Sequence, residues 1–500
     1  MRNAAGRDVP QNPYGGAFAK QVYRTYICDK EREATVVFGL KDAVAALGLR
    51  DGMTLSFHHH LRAGDRVLEQ VMDAVRETRV KGLTIAASAI FPAHRVLVDR
   101  IADKTVRAIE TAYISGPVAE AVSRGLLDGG IRMVTHGGRA RAILEGDCPI
   151  DVAFIAAPAV DRAGRISGVL GRTPCGPLGY AAADAWKADI VVAVTDDLRD
   201  DEISDADIEA GTVDIICVVD KLGEAAGIVS GTTRITHDPV GLRIAADAAA
   251  LLEKSGLFRN GLSFQTGAGG ISLAVARFIQ EKMKSTNIVG SFGSGGITEA
   301  FTDMLHEGLL GELFDVQAFD LAAVKSSRED PMHHRISASR YANPNDPEAI
   351  VSRLDAVVLG ASEIDLDFNV NVTTGSDGML LGGSGGHADT AAGAKLTMIV
   401  SKLVNARVSC LQERVTTVTT PGETVDVLVT DRGIAVNPRR PELLARLRAD
   451  THLDIVEIGT LYERAVRLTG KPAAASPSGR EIGVSVYRDG TIIDVLKAVR

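Results

Sequence analysis

Short runs of β-branched and aliphatic residues alternate along the chain with stretches whose apolar positions recur three and four residues apart. The runs predict strands at Met53–Phe57, Leu83–Ala87, Ile131–Thr135, Val152–Ala156, Ile190–Val194 and Ile215–Val219. A second set falls at Leu262–Gln265, Ile288–Ser291, Val316–Phe319, Ala356–Leu359, Val425–Thr430 and Asp454–Ile458. Helical spacing covers Val67–Val75, Val96–Ala102, Leu273–Met283 and Phe301–Glu307. Strands apolar on both faces and separated by helices imply an α/β fold with a mainly parallel sheet covered on both sides. The strand–loop–helix order near Thr54 and Leu83 recurs near Leu262 and Ile288, so the chain reads as two tandem open α/β domains. The division expected is an N-terminal extension over 1–35, a first domain over 36–235 and a second over 236–500, meeting in the loop at 231–239. The second ends in a β-hairpin turning at Asp489–Gly490.

Composition narrows the classes. A net charge of −9 lacks the basic field of a nucleic-acid binder. No uncharged apolar run is long enough to span a bilayer and the N-terminus shows no secretory pattern, so no membrane association and a cytoplasmic location are expected. Five cysteines without a CxxC pair imply inert thiols in a reducing compartment. The 51 glycines beside only 4% aromatic residues point to close backbone approaches and tight turns.

Three segments of the second half carry candidate chemistry. Gln265-Thr266-Gly267-Ala268-Gly269-Gly270 leaves a strand for a helix, where outward N–H groups suit a phosphate or an acyl oxyanion. It matches neither a P-loop nor a dinucleotide fingerprint. The segment Gly290–Ala300 includes Gly295 and Gly296 and places Glu299 at a helix start, as a dipole partner, a nucleophile or a general base. Residues Ser362–Asn371 alternate as a strand with Glu363 among its acids. Gly382-Gly383-Ser384-Gly385-Gly386-His387 then offers backbone donors to an anion, with His387 either a ligand contact or a structural histidine. In the first half, His58, His59 and His60 end a strand before Arg62. Successive strand side chains alternate sides, so the three cannot converge on a metal, and none is expected. His333-His334-Arg335 reads as a basic rim or a solvated turn. No GxSxG elbow is present, which argues against a serine hydrolase.

The order QTGAGG (265–270), GITEAF (296–301), EIDLDFNVN (363–371) and GGSGGHAD (382–389) resembles the acyl-CoA transferase family. Within it, SFHHHLRAGD (56–65), FNVNVTTGSDGMLLGGSGGHADTA (368–391) and VDVLVTDRGIAVNPRRPELL (425–444) resemble the citrate lyase alpha-subunit group. The likeness runs from about residue 10 to the C-terminus. It implies two CoA-transferase domains with the site between them. It implies exchange of acetate for citrate on the thiol of a phosphopantetheine-type group, before a beta subunit cleaves the citryl thioester. That group would belong to a gamma acyl-carrier subunit, with no cofactor bound by this chain and the whole an oligomer. Glu299 stands where relatives place a nucleophilic glutamate, with Glu363 the alternative. The citrate lyase group is instead taken to react through an acid anhydride without an enzyme adduct. The resemblance assigns Gln265, Gly267, Gly269, Gly270, Gly295, Gly296, Gly383, Gly385 and Gly386 to thioester binding. His58–His60, Arg62, His387, Arg335 and Arg340 are candidates for the substrate carboxylates. A free-standing acyl-CoA transferase or hydrolase using ordinary CoA is the alternative.

Overall fold

The computed structural model describes Tyr26 and residues 30–229, 234–449, 452–471 and 479–499. Nearly all of the expected N-terminal extension, Cys28 and positions 231–233 of the expected boundary loop lie outside them.

Two mainly parallel sheets form the body. The first is built from β1 (Thr35–Phe38), β2 (Thr54–Phe57), β3 (Leu83–Ala87), β4 (Val106–Thr111), β5 (Ile131–Met133), β6 (Val152–Ala156), β7 (Ile190–Thr195) and β8 (Ile215–Val218). The second uses β9 (Ser263–Thr266), β10 (Gly290–Ile297), β11 (Leu310–Ala318), β12 (His333–Arg335), β13 (Ala356–Gly360), β14 (Leu396–Val400), β15 (Val427–Thr430), β16 (Gly433–Val436) and β17 (Ile455–Val456). Their orders are β1-β8-β7-β6-β2-β3-β4-β5 and β12-β11-β10-β9-β13-β14-β15-β16-β17. Apart from β1, which comes first in the chain and forms the far edge of the first sheet, each sheet starts at its centre (β2 or β9), grows three strands to one side, then returns to build the other. That shared winding creates a topological switch point at β2/β6 and at β9/β13, where ligands bind outside the strands' carboxyl ends.

The expected C-terminal hairpin forms as β18 (Glu481–Val486) and β19 (Ile492–Lys497). Although grouped by chain order with 236–500, it adds to the first sheet, β18 pairing in parallel with β5 through Val484↔Arg132. The last strands thus tie the two halves together.

Two local expectations are corrected. The glycine stretch after Ile288 is itself strand β10, extending to Ile297 instead of ending at Ser291. The alternating segment 362–371 is not one strand. It folds back so that Glu363 pairs with Asn371. Asp365 Oδ1 accepts from the N–H groups of Asp367 and Asn369, and Phe368 takes φ 64°. The aspartate's local hydrogen bonds outcompete an extended ladder.

Helices cover both sheets. The Val67–Thr78 helix, α1, buries Val67, Leu68, Val71, Met72 and Val75, the predicted stripe. Cys148, Cys175, Cys217 and Cys410 are free and buried, and burial pushes the pKa of each thiol up, keeping it protonated. Among the described residues, no helix is long and apolar enough to cross a membrane.

Candidate active site

The two switch points face one another across a cavity of about 380 Å³. Both halves build its wall. The first contributes His59, Arg62, Phe91, Tyr113, His136 and Tyr180. The second contributes the turn at 265–269, Gly296, Gln317, Phe319, Tyr341 and the loop at 382–387.

Backbone hydrogen bonds seat the 382–386 loop on the first half. Gly385 N–H donates to Ala112 O at 2.9 Å and His136 N–H donates to Gly385 O at 2.8 Å. Asp389, on the helix α5 (His387–Gly393), accepts from Thr135 Oγ1 and Gly137 N, both at 2.9 Å. Thr135 also caps the helix α2 (His136–Glu145) by accepting from Gly138 N. His136 is therefore fixed from both halves. Gln317 makes a second bridge, its Nε2 donating to His59 O at 2.9 Å.

The histidines following β2 have three different partners. His58 Nε2 lies 3.0 Å from Asp184 Oδ2, below the cavity floor. There Asp184 also pairs with Arg139, whose Nη2 donates to Ser56 Oγ at 2.7 Å. His60 Nε2 accepts from Tyr180 N–H at 3.3 Å. His59 faces the cavity, with Nδ1 2.6 Å from Ser88 Oγ and its ring stacked on Tyr180 at 4.6 Å. Burial, reinforced by neighbouring imidazoles and Arg62, holds His59 well below its ordinary pKa. Burial and Arg139 lower His136 to about 3. Both rings are neutral near pH 7 and act as dipoles.

Arg62 supplies the cavity's fixed positive charge. Its backbone is left-handed (φ 50°), a strained state that the surrounding packing must enforce. The guanidinium sits 4.9 Å over Phe91 and 5.4 Å over Phe319. Burial lowers its pKa from an unusually basic start, so it remains a cation. Phe319 can lie there because residue 296 is glycine: a Cβ on Gly296 would fall 2.1 Å from the Phe319 ring. Gly295 does not line the cavity. It adopts φ 98°, and a Cβ on it would meet the Gln265 side chain at 2.4 Å. Gln265 Nε2 donates to Tyr341 Oη at 2.7 Å, which leaves the phenol proton for a second acceptor. Gln265 Oε1 and Thr266 Oγ1 are buried at the wall with no partner among the described residues. Unsatisfied buried polar atoms in a cleft suit a polar ligand.

The three glycine segments are brought together here, with Gly267, Gly269, Gly296, Gly383, Gly385 and Gly386 in the wall. Gly270 lies just beyond, in an adjoining cleft. His387 touches the cavity, but Thr420 Oγ1 at 2.7 Å and Gly360 O at 2.9 Å occupy its two ring nitrogens. Its role is structural.

The two candidate carboxylates stand elsewhere. Glu299 is exposed at the start of the helix α4 (Glu299–His306), with its own N–H donating to Asp320 at 2.7 Å. Glu363 is buried away from the cavity, accepting from Asn371 Nδ2, Thr416 N and Thr416 Oγ1. Arg335 pairs with Asp207 at 3.1 Å, clamping the halves at another face, and Arg340 pairs with Glu348 at 2.6 Å. His333 is buried between Asp315 and Ser326. Among the described residues, the cavity wall carries Arg62 and no aspartate or glutamate.

The model of the family described as citrate lyase, alpha subunit, matches residues 33–499. The chain belongs to the citrate lyase alpha-subunit family. The citrate lyase alpha chain of Escherichia coli (strain K12) is 46% identical over 484 residues, covering 97% of this chain and 95% of that one. The Klebsiella pneumoniae citrate lyase alpha chain is 43% identical, covering 98% and 96%. The alpha subunit of citrate lyase from Streptococcus mutans, solved in complex with citrate, superposes with a TM-score of 0.92 at 40% identity, covering 99% of both chains. An acyl-CoA transferase from E. coli O157:H7, captured as a thioester complex with CoA, shares the fold at TM-score 0.55 and 16% identity, covering 83% of this chain and 90% of that one. As its name states, the family is one subunit of a multi-subunit citrate lyase.

Sequence reasoning missed His136, Tyr180, Gln317, Phe319 and Tyr341. His136 carried a usable signal, since Thr135-His136-Gly137-Gly138 repeats the strand-to-helix design of the glycine loops. The others have no local signature. Only packing between the halves brings them to the wall.

Proposed function

We propose that this chain exchanges acetate for citrate on a carrier thioester. One observation carries the mechanism: a cationic, glycine-lined cavity whose wall, among the described residues, has no acidic side chain. The attacking carboxylate therefore comes from the substrate. A citrate carboxylate oxygen adds to the acetyl carbonyl carbon, and the tetrahedral oxyanion collapses with loss of the thiolate, leaving a mixed acetyl–citryl anhydride. The same thiolate then attacks the citryl carbonyl, and acetate departs. Atoms and charge balance without redox chemistry. The Gly267 N–H is taken by Val358 O, so the backbone N–H groups of Ala268 and Gly269, with the Tyr341 hydroxyl, would donate to the oxyanion. Arg62 and neutral His59 and His136 hold the remaining carboxylates, so the two reactants meet in one enclosure. The thioester arm comes from a gamma-type acyl-carrier partner, and a beta-type subunit cleaves the citryl product.

The test offers the purified chain acetyl-CoA as a surrogate thioester, with citrate and labelled acetate. Citrate-dependent formation of citryl-CoA is expected. Borohydride added during turnover should leave every glutamate of the chain unreduced. A chain-bound reduced glutamate would overturn the direct route.

A further inference from the structure

A second, smaller cleft of about 240 Å³ opens beside the reaction cavity. The two share Gly269, Gly360 and Ala361. It lies at the carboxyl ends of β13 and β14, against the first turn of the helix α3 (Gly270–Thr286). Gly269 at its start supplies no side-chain cap. The first N–H groups of a helix have no intrahelical partner and carry the positive end of its dipole. A second observation points to a ligand. Ser272 Oγ, fully buried on that same turn, has no hydrogen-bond partner among the described residues, and Ser272 lines the cleft. Lys402 stands opposite. It pairs with Asp238 at 3.0 Å, both side chains about one-third exposed, a contact weak enough to yield to a stronger anion. Among the described residues, no acidic one lines the cleft.

We propose that this cleft seats a phosphate ester: the phosphate of the pantetheine arm that carries the thioester. The identity of the arm rests on the transferase reading, whereas the anion seat rests on the cleft alone. The phosphate caps α3, taking the first-turn N–H groups, Ser272 Oγ and Lys402 Nζ. The arm then runs across Gly269, Gly360 and Ala361 into the cavity. Uncharged glycine and alanine there leave room for a narrow chain and contribute no competing charge. CoA and a carrier-bound arm present the same phosphate, so both use this seat.

The experiment compares acetyl-4′-phosphopantetheine with acetyl-pantetheine on the full chain, by citrate-dependent transfer and by equilibrium binding of the two free thiols. The phosphorylated thioester should show a KM at least about tenfold lower, the scale of one or two hydrogen bonds to a charged group. In Ser272→Ala and Lys402→Glu that ratio should fall toward one. Equal KM values in the unaltered chain, or a ratio that both variants preserve, would overturn the seat. If neither thioester is turned over, the transferase reading fails by itself. The binding ratio of 4′-phosphopantetheine to pantetheine then decides the anion site: tenfold supports it and unity refutes it.

Discussion

Replacing Arg62 by methionine keeps much of the side-chain volume between Phe91 and Phe319 while removing the cavity's charge. Two losses follow. A charge-assisted hydrogen bond to a substrate carboxylate contributes about 1.5–3 kcal/mol. At about 1.4 kcal/mol per tenfold, kcat/KM for citrate should fall roughly 10- to 150-fold. The stacking on two rings adds about 1–2 kcal/mol to stability when desolvated, partly retained by methionine's own contacts with aromatic faces. Arg62→Lys keeps the charge and loses the planar fork, so it should fall between the two. The assay is initial rate against citrate concentration at saturating acetyl-CoA, with thermal melts to separate folding from function. A folded Arg62→Met protein whose citrate kcat/KM stays within twofold of the parent would refute the role given to this guanidinium.

Gly296→Ala should destabilise the chain by about 1–3 kcal/mol, because its Cβ meets the Phe319 ring; denaturant midpoints and transfer rates should fall together. Glu299→Ala should leave transfer within about twofold, since the side chain is exposed outside the cavity; a loss of a hundredfold would place Glu299 in the chemistry. Glu363→Gln should lower unfolding free energy by about 1–3 kcal/mol, because a carboxylate accepting from two backbone or side-chain donors of Thr416 and from Asn371 is replaced; a melt unchanged from the parent would count against it. Acidification should destabilise the fold. Burial lowers His136 to about 3 and His387 to about 4, so each contributes stability present above the unfolded pKa, near 6.5, and lost as pH falls toward the folded one. Melts between pH 7 and 4 should drop steeply, and His387→Asn should flatten that slope.

Read alone, the sequence determined the α/β class, most strand centres, the recurrence of one pattern in both halves and the glycine turns at 265–270 and 382–386. These are properties of spacing and backbone freedom, which neighbouring residues settle among themselves. Apolar stripes such as Val67–Val75 predict their own burial, and the left-handed φ of 51° at Gly385 favours glycine whatever surrounds it. Tertiary structure alone decided the rest. Adjacent histidines 58–60 differ in role because one finds Asp184, one Ser88 and one the Tyr180 amide. His387 is silenced by Thr420, more than thirty positions away. The last hairpin joins the first sheet because the exposed edge of β5 is where its hydrogen bonds can be met. Arg62 becomes a buried cation, and Glu299 stays outside, because the halves close over one and not the other. Side-chain pattern carries no record of that closure: it depends on contacts between residues hundreds of positions apart, whose energies exist only once both sheets are folded.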